Sequence, residues 1–366
     1  MDKQWWLASG YAVIFAAPGL LILGGTIHHP ALAFATVLLL FPLARPVFGE
    51  WPKEAILWRE PLATALDWLP VAYAIALLAT IVWLLVQLEQ GAVRTATGAF
   101  GLGLSLWITF LLATCPAHEL IHRRSSWEAR VGRWLGAACG YPLLGAEHLA
   151  HHARRGDTES AEWPRLNESM WAFSHRRICR LFGRQNHQAA FARRRIRSRR
   201  VGAGLMETAT VTAITWLAFA VAGGWGGFLV YLGVFIGVTI GYQAITYLQH
   251  WGLGIDSVQD GAEVAYGWED ACRFQAWLTM NVSFHLSHHR ESRRSYYRLE
   301  LTPGSPRQPA SYVVLLVLSM VPPLWRKLML PVLAQWKSRP LEAVVPGRRL
   351  TCFGLHDVPG PVAGHR

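Results

Sequence analysis

The chain has 366 residues, of which 52% are hydrophobic and 16% are charged, with a formal net charge of +12. Soluble domains carry about 25% charged residues, so this composition excludes an ordinary soluble protein and favours an all-α integral membrane protein. None of the five cysteines forms a Cys-x-x-Cys pair. That argues against a disulfide framework, a structural zinc site and a built-in rubredoxin-type iron centre.

Six stretches of the chain are candidates for membrane spans, each of which needs about 20 apolar residues. The first has no cleavage signal, which predicts an anchor rather than a removed leader. The six predicted spans are residues 6–27, 31–48, 68–88, 98–116, 205–222 and 228–248. No internal repeat separates them, so residues 1–366 are predicted to form a single membrane domain.

Several other segments are predicted to lie at the bilayer interface or outside it. Residues 50–66 are amphipathic, and residues 131–144 are apolar but too short to cross. Residues 271–289 have the pattern of one helix. Residues 310–330 are interrupted by Pro322 and Pro323, which favours a cap or an in-plane helix over a seventh span.

The distribution of arginine sets the predicted orientation. Thirteen arginines and no lysine fall between residues 154 and 200. Beside membrane spans such clusters mark the cytoplasmic side and anionic headgroups, and we prefer this to a nucleic-acid interface. With the N-terminus inside, the turns at residues 28–30, 91–97 and 223–227 face outward with one arginine among them. Residues 117–200 and 249–309 then form cytoplasmic regions of an inner-membrane protein.

Nine histidines fall in four clusters, all within these inward-facing regions. His118 and His122 are four residues apart, so they share one helix face. The other seven are His148, His151 and His152, then His250, then His285, His288 and His289. Neutral imidazole suits iron, copper, nickel or zinc, and nine ligands can supply two ions with four or five each. No metal role is predicted for His28, His29, His175, His187, His356 and His365.

These clusters resemble the histidine boxes of the membrane-bound non-haem di-iron superfamily of fatty acid desaturases and hydroxylases. Within it, they are most similar to the alkane 1-monooxygenase branch, which includes the hydroxylase components of xylene monooxygenases. The resemblance covers about residues 65–300. The boxes are His118-Glu119-Leu120-Ile121-His122, Glu147-His148-Leu149-Ala150-His151-His152, Thr246-Tyr247-Leu248-Gln249-His250-Trp251-Gly252-Leu253 and Phe284-His285-Leu286-Ser287-His288-His289. Gln249 departs from the glutamate that is usual there, and the second box is one residue shorter than in most alkane enzymes.

The resemblance implies a cytoplasmic di-iron cap on six transmembrane helices, with the nine clustered histidines as iron ligands and O₂ as co-substrate. The implied reaction hydroxylates a terminal or methyl C–H of an apolar substrate that enters from the bilayer. Electrons would come from a rubredoxin or ferredoxin and its reductase, with the arginines between Arg176 and Arg200 as a docking face. Glu119 and Glu147 are predicted to orient ring N–H groups. Candidates for an acidic ligand are Asp256, Asp260 and Glu263.

Three other functions are compatible with parts of this pattern. An intramembrane zinc protease would use His118 and His122 as ligands and Glu119 to activate water, but it leaves seven clustered histidines unexplained. A histidine-rich metal transporter would need polar residues within several spans, and these spans have few. A desaturase would use the same ligands and produce an alkene instead of an alcohol.

Overall fold

The structure, a computed structural model, describes residues 2–91, 95–154, 158, 162–182, 195–253 and 267–338. In this part of the chain the secondary structure is helical, apart from two isolated bridges that join Glu50 to Cys272 and Glu269 to Arg307. The helices are α1 (Lys3–Gly10), α2 (Ala16–Thr26), α3 (Leu32–Leu39), α4 (Ala44–Phe48), α5 (Glu60–Glu89), α6 (Ala96–His122), α7 (Ser126–Ala138), α8 (Leu144–Ala153), α9 (Met170–Phe182), α10 (Arg195–His250), α11 (Arg273–Leu278), α12 (His285–Arg290), α13 (Tyr312–Ser319) and α14 (Pro322–Lys337).

Among the residues that the structure describes, four helical stretches are long and apolar enough to cross a membrane: Lys3–Thr26, Glu60–Glu89, Ala96–His122 and Gly204–His250. The stretch Leu32–Phe48 is apolar but shorter. Two helices exceed their predicted spans. Helix α5 begins at Glu60 rather than residue 68, with a proline in its first turn where the missing N–H costs nothing. Helix α6 continues past Pro116 to His122. Both histidines of the first box therefore lie on one continuous helix.

Helix α10 is a hairpin of two helical arms. A straight helix would place residues twelve apart about 18 Å from each other. Yet the ring of Trp216 stacks on Phe228 at 5.2 Å, and Phe219 stacks on Tyr231 at 5.1 Å. The chain reverses at Gly224, whose backbone is non-helical with φ 57° and ψ −144°. This reversal lies inside the predicted turn at residues 223–227, and the second arm ends at His250.

The predicted single helix over residues 271–289 is wrong, because the chain breaks between α11 and α12. Met280 and Asn281 have φ values of 50° and 56°, and consecutive left-handed residues cannot continue a right-handed helix. The Asn281 amide donates a hydrogen bond to the carbonyl oxygen of Tyr296 at 2.9 Å. The break gives α12 its own direction, so its histidines are aimed independently of α11.

The N-terminal helices pack onto the segment before α11. Arg45 donates from one nitrogen to both carboxylate oxygens of Asp270, at 2.8 and 2.9 Å. The backbone N–H of Trp51 donates to Ala271, and the indole N–H of Trp277 donates to Leu7. At the other end of the chain, the proline pair starts α14 after α13 has ended, as the sequence predicts.

We expect Gly224→Ala to lower the thermal unfolding midpoint of the protein in detergent. A Cβ at this position meets nothing within 4 Å, so the cost is confined to the backbone. Such glycine-only conformations cost about 1–3 kcal/mol for other residues. Gly226→Ala is the matched control, since Gly226 is helical and equally open. Equal midpoints for the two variants would contradict the hairpin geometry.

Candidate metal centre

The ends of two long helices bring the first and third histidine boxes to the same end of the molecule. His118 and His122 form the last turn of α6, and His250 is the last residue of α10. Helices α8 and α12 carry the other two boxes to the same place. The nine histidines form two groups: a five-histidine group of His118, His122, His148, His152 and His288, and a four-histidine group of His151, His250, His285 and His289.

The Nε2 atoms within each group are as close as ligands of one ion. In the five-histidine group, Nε2 of His148 lies 2.7 Å from that of His118 and 2.7 Å from that of His122. In the four-histidine group, Nε2 of His285 lies 2.8 Å from that of His250 and 3.0 Å from that of His289. Two imidazoles bound at right angles to one ion, each at about 2.1 Å, have nitrogens about 3 Å apart. Each group therefore fits a first-row metal.

Each His-x-x-His-His triad is divided between the two groups. Successive residues of a helix are rotated by about 100°, so the fifth position lies about 40° to one side of the first and the fourth about 60° to the other side. His148 and His152 accordingly enter the five-histidine group, while His151 enters the other. On α12 the assignment is reversed: His285 and His289 enter the four-histidine group, and His288 the five-histidine group.

The groups differ in exposure to solvent. All members of the four-histidine group are buried, with His250 at 0% and His289 at 1% exposure. In the five-histidine group, His122 and His152 are partly exposed. Burial, followed by neighbouring imidazoles, lowers the pKa of His148 and His288 far below the usual value, and burial lowers the pKa of His285 to about 3. These three rings are therefore neutral at physiological pH and have a lone pair to give to a metal.

A buried ion cluster fixes α8 next to the histidines. The guanidinium of Arg177, on α9, is 4% exposed and contacts the carboxylates of Glu147 and Glu162. Burial lowers the pKa of Arg177, but the two glutamates outweigh it and raise the pKa above its usual value. Arg177 is thus an internal cation that ties α9 to the helix carrying His148, His151 and His152. Its burial removes it from the predicted docking face.

The predicted role of Glu119 and Glu147 in orienting ring N–H groups has no counterpart in their contacts. The Glu119 carboxylate pairs with Arg123 at 3.1 Å and accepts from the backbone N–H of Tyr296 at 3.4 Å. The Glu147 carboxylate pairs with Arg177 and accepts from Gln243 at 3.4 Å. Both carboxylates are instead directed toward arginines, Glu119 toward Arg123 and Glu147 toward Arg177.

Other side chains contact the outer faces of the rings. The Tyr242 hydroxyl lies 3.3 Å from Nδ1 of His148, and a carboxylate oxygen of Glu162 lies 3.9 Å from Nδ1 of His151. The Trp163 ring packs against His250 with centroids 4.1 Å apart. Such outer partners orient metal-binding imidazoles. None belongs to a histidine box. Tyr242 is seven residues, or about two helical turns, before Gln249 of the third box, so the two residues share a helix face. This spacing was the sequence signal that could have identified Tyr242.

A small cavity of about 40 Å³ borders both groups on the side of the long helices. His118 and His148 line it from one group, and His151 and His285 from the other. Its remaining lining consists of Thr114, Cys115, Arg177, Tyr242, Ile245, Thr246, Gln249 and Val282. A volume of this size holds a few small molecules at most, since one water needs about 10–15 Å³.

The histidines without a predicted metal role lie apart from this centre where they are described. His28 lines a different cavity together with Gly98, and Gly98 is twenty residues before His118 on α6, or about 30 Å along the helix. His175 contacts Cys179 on α9. His187, His356 and His365 lie outside the described residues, as do the acidic candidates Asp256, Asp260 and Glu263.

Comparison with known proteins points to one family. The family model for fatty acid desaturase matches residues 94–313. The chain is 29% identical to alkane 1-monooxygenase 1 of Pseudomonas aeruginosa, over 83% of this chain and 84% of that protein. It is 26% identical to alkane 1-monooxygenase 2 of Alcanivorax borkumensis, over 68% and 69%. It is 27% identical to alkane 1-monooxygenase of Ectopseudomonas oleovorans, over 83% and 78%.

Arg177→Met should destabilise the protein strongly, because it leaves Glu147 and Glu162 buried without their shared cation. Removing one partner of a buried ion pair typically costs about 3–5 kcal/mol. The matched control is Arg130→Met, which removes an exposed pair with Glu207 and should cost less than about 1 kcal/mol. Thermal unfolding of both variants in detergent measures the difference, and a midpoint loss no larger for Arg177→Met would refute the internal-cation role.

Proposed function

Because this chain belongs to the fatty acid desaturase family, we propose that it is a membrane-bound di-iron monooxygenase of the alkane-hydroxylase type. The proposed reaction inserts oxygen from O₂ into a terminal or methyl C–H of an apolar substrate. The observation that carries the proposal is the meeting of nine imidazole nitrogens in two groups at one end of long apolar helices. The relatives named alkane 1-monooxygenase favour hydroxylation among the reactions of the family.

The nine clustered histidines would hold two irons, one in each group. The donor set supports this, since the ligand atoms that converge in each group are imidazole nitrogens. When bound, the irons would supply the activation of O₂. The chain's own share is to hold the rings at 2.7–3.0 Å spacing, to keep them neutral by burial, and to exclude bulk water from the four-histidine group.

The small cavity that borders both groups is the proposed position of the reacting carbon. Thr114 and Cys115 on α6, and Ile245 and Thr246 on α10, line it on the membrane side. These helices continue into the apolar part of the bundle, so a hydrocarbon could approach from the bilayer without crossing water. The small volume admits the end of a chain rather than a bulky ring system. This arrangement supports an apolar, alkane-type substrate.

The proposed topology is a single domain with six membrane crossings and the metal centre on the cytoplasmic side of the inner membrane. Two observations support it. The hairpin at Gly224 divides the fourth apolar stretch into two arms. The shorter apolar stretch Leu32–Phe48 lies in sequence between the longer stretches Lys3–Thr26 and Glu60–Glu89. The arginine-rich segment after α8 lies on the same side as the histidines by this count, in agreement with the positive-inside rule.

The proposed electron donor is a rubredoxin or ferredoxin with its reductase, because the sequence has no iron–sulfur, flavin or nicotinamide motif of its own. Two arginines of the docking face predicted between Arg176 and Arg200 have partners within the protein. Arg176 is engaged by Glu168 through two bonds of 2.6 and 2.7 Å, and Arg177 is buried. Residues 183–194 of that face lie outside the described part of the chain.

The zinc-protease alternative is disfavoured by the direction of Glu119. A hydrolytic base must face the water on the metal, whereas the Glu119 carboxylate pairs with Arg123. A desaturase remains the alternative within the family, since it would use the same ligands. The product distinguishes the two: an alcohol from a hydroxylase and an alkene from a desaturase.

Membranes containing the protein should convert alkanes to terminal alcohols in the presence of O₂ and a reducing system. The experiment supplies a panel of medium-chain alkanes, fatty acyl chains and methylarenes with rubredoxin and its reductase, and identifies products by gas chromatography and mass spectrometry. Membranes without the protein are the control. Alkenes as the main product would replace the hydroxylase assignment by a desaturase, and peptide cleavage without oxygen uptake would overturn both.

The purified protein should contain about two irons per chain, and His288→Ala should reduce this to about one. His288 Nε2 lies 3.0 Å from that of His118 and 2.9 Å from that of His152, so its loss opens the five-histidine group. His175→Ala is the control, because His175 lies on α9 beside Cys179. Elemental analysis gives the stoichiometry. One zinc and no iron in the wild type would refute the di-iron centre.

A further inference from the structure

A short segment, residues 267–270, connects the two boxes that supply most of the four-histidine group. The backbone N–H of Trp268 donates to Gln249, and its indole N–H donates to Trp251. These two acceptors flank His250. Two residues later, the backbone N–H of Asp270 donates to Ser283 at 3.0 Å, just before His285. The segment therefore bridges the end of α10 and the start of α12.

The segment also packs directly on a histidine ring. A methyl group added to Gly267 would lie 3.0 Å from Cδ2 of His285 and 3.3 Å from the backbone nitrogen of Leu286. Both distances are shorter than an ordinary van der Waals contact. The position of the segment is thus coupled to the position of the His285 imidazole, and any shift of residues 267–270 would move or release that ring.

Glu269 is the polar anchor of this segment. Its side chain is completely buried, and five donors converge on its two oxygens. One oxygen accepts from the backbone N–H of Ser287 and the hydroxyl of Thr302, both at 3.2 Å. The other accepts from the backbone N–H of Thr302 at 2.9 Å, the hydroxyl of Ser305 at 2.6 Å and the guanidinium of Arg307 at 3.1 Å.

This environment requires an ionised carboxylate. Backbone N–H groups and a guanidinium can donate but cannot accept. One oxygen of Glu269 faces the N–H of Ser287, and the other faces the N–H of Thr302 and Arg307. A glutamine has the same shape but carries an NH₂ on one side. Whichever way its amide is turned, that NH₂ meets an N–H donor, so the substitution keeps the volume and destroys the bonding.

We infer that Glu269 is a positioning residue for the metal in the four-histidine group. The inference rests on the proposed function, since it concerns one of the two proposed iron sites. Three of the four members of this group lie on elements that the segment holds: His250, His285 and His289. The five-histidine group takes four of its five members from α6 and α8, which make none of the bonds described for residues 267–270. Loss of Glu269 should therefore affect one metal far more than the other.

The experiment compares the wild type, Glu269→Gln and Glu168→Gln as iron-loaded full-length proteins in detergent. The readouts are iron per chain, the Mössbauer spectrum of the ferrous form and the kinetics of iron release to a coloured chelator. Glu168→Gln is the matched control: its carboxylate also receives only donors, from Arg176 and the backbone N–H of Arg165, but its segment carries none of the nine histidines.

We expect Glu269→Gln to bind the iron of the four-histidine group about 10- to 100-fold more weakly, as is typical when an outer partner of a metal ligand is lost. The wild type should release iron in two phases, the faster from the partly exposed five-histidine group. In Glu269→Gln the slow phase should disappear and one of two Mössbauer doublets should change. Glu168→Gln should retain two irons and both phases.

Two irons with unchanged spectra and release in Glu269→Gln would overturn the inference while leaving the proposed function intact. The same changes in Glu168→Gln would also overturn it, because they would reflect general destabilisation. A wild type without two irons would instead refute the proposed function. If Glu269→Gln does not fold, Ser305→Ala decides: removing one of five donors should accelerate the slow phase, and an unchanged slow phase would overturn the inference.

Discussion

The close approach of imidazole nitrogens is the constraint on which the rest of this structure depends. Within each group, Nε2 atoms of different rings lie 2.7–3.0 Å apart. A neutral imidazole has one N–H and one lone pair, and lone pairs at such distances repel each other unless a cation or shared protons lie between them. The surrounding helices must therefore hold these rings in place, and a metal in each group would turn the repulsion into attraction.

Ion pairs between arginines and carboxylates connect the elements around the rings, and the pair of Arg177 with Glu147 is fully buried. Arg177 ties α9 to α8, Arg45 ties the N-terminal helices to Asp270, and Arg123 ties the end of α6 to Asp67. A buried charge is costly alone but tolerable when paired and hydrogen-bonded. These arginines join elements far apart in sequence. They cross-link the elements that carry the histidine groups, in contrast to the apolar packing of the long helices.

The two histidine groups have different surroundings although they share the same ligand chemistry. The five-histidine group reaches the surface through His122 and His152, while the four-histidine group is buried and is bordered by Trp163 and the Glu269 segment. Because α8 and α12 each give histidines to both groups, a movement of either helix affects both proposed irons. This coupling suits a centre in which two metals act on one small cavity, which both groups line.

Hydropathy and helical periodicity are local properties, so the order of residues was enough to predict the membrane character, the reversal near Gly224, the four clusters of nine histidines and the shared helix face of His118 and His122. Only the packing of separate helices shows which group His151 and His288 join. It also shows that Glu119 and Glu147 face arginines and that Arg177 is buried. The break of the predicted helix at Met280 and Asn281 likewise appears only in the folded chain. The reason is geometric: periodicity fixes which side chains share a face of one helix. The partner that this face meets depends on how separate helices pack, and no local pattern encodes a contact such as that between Glu269 and Arg307.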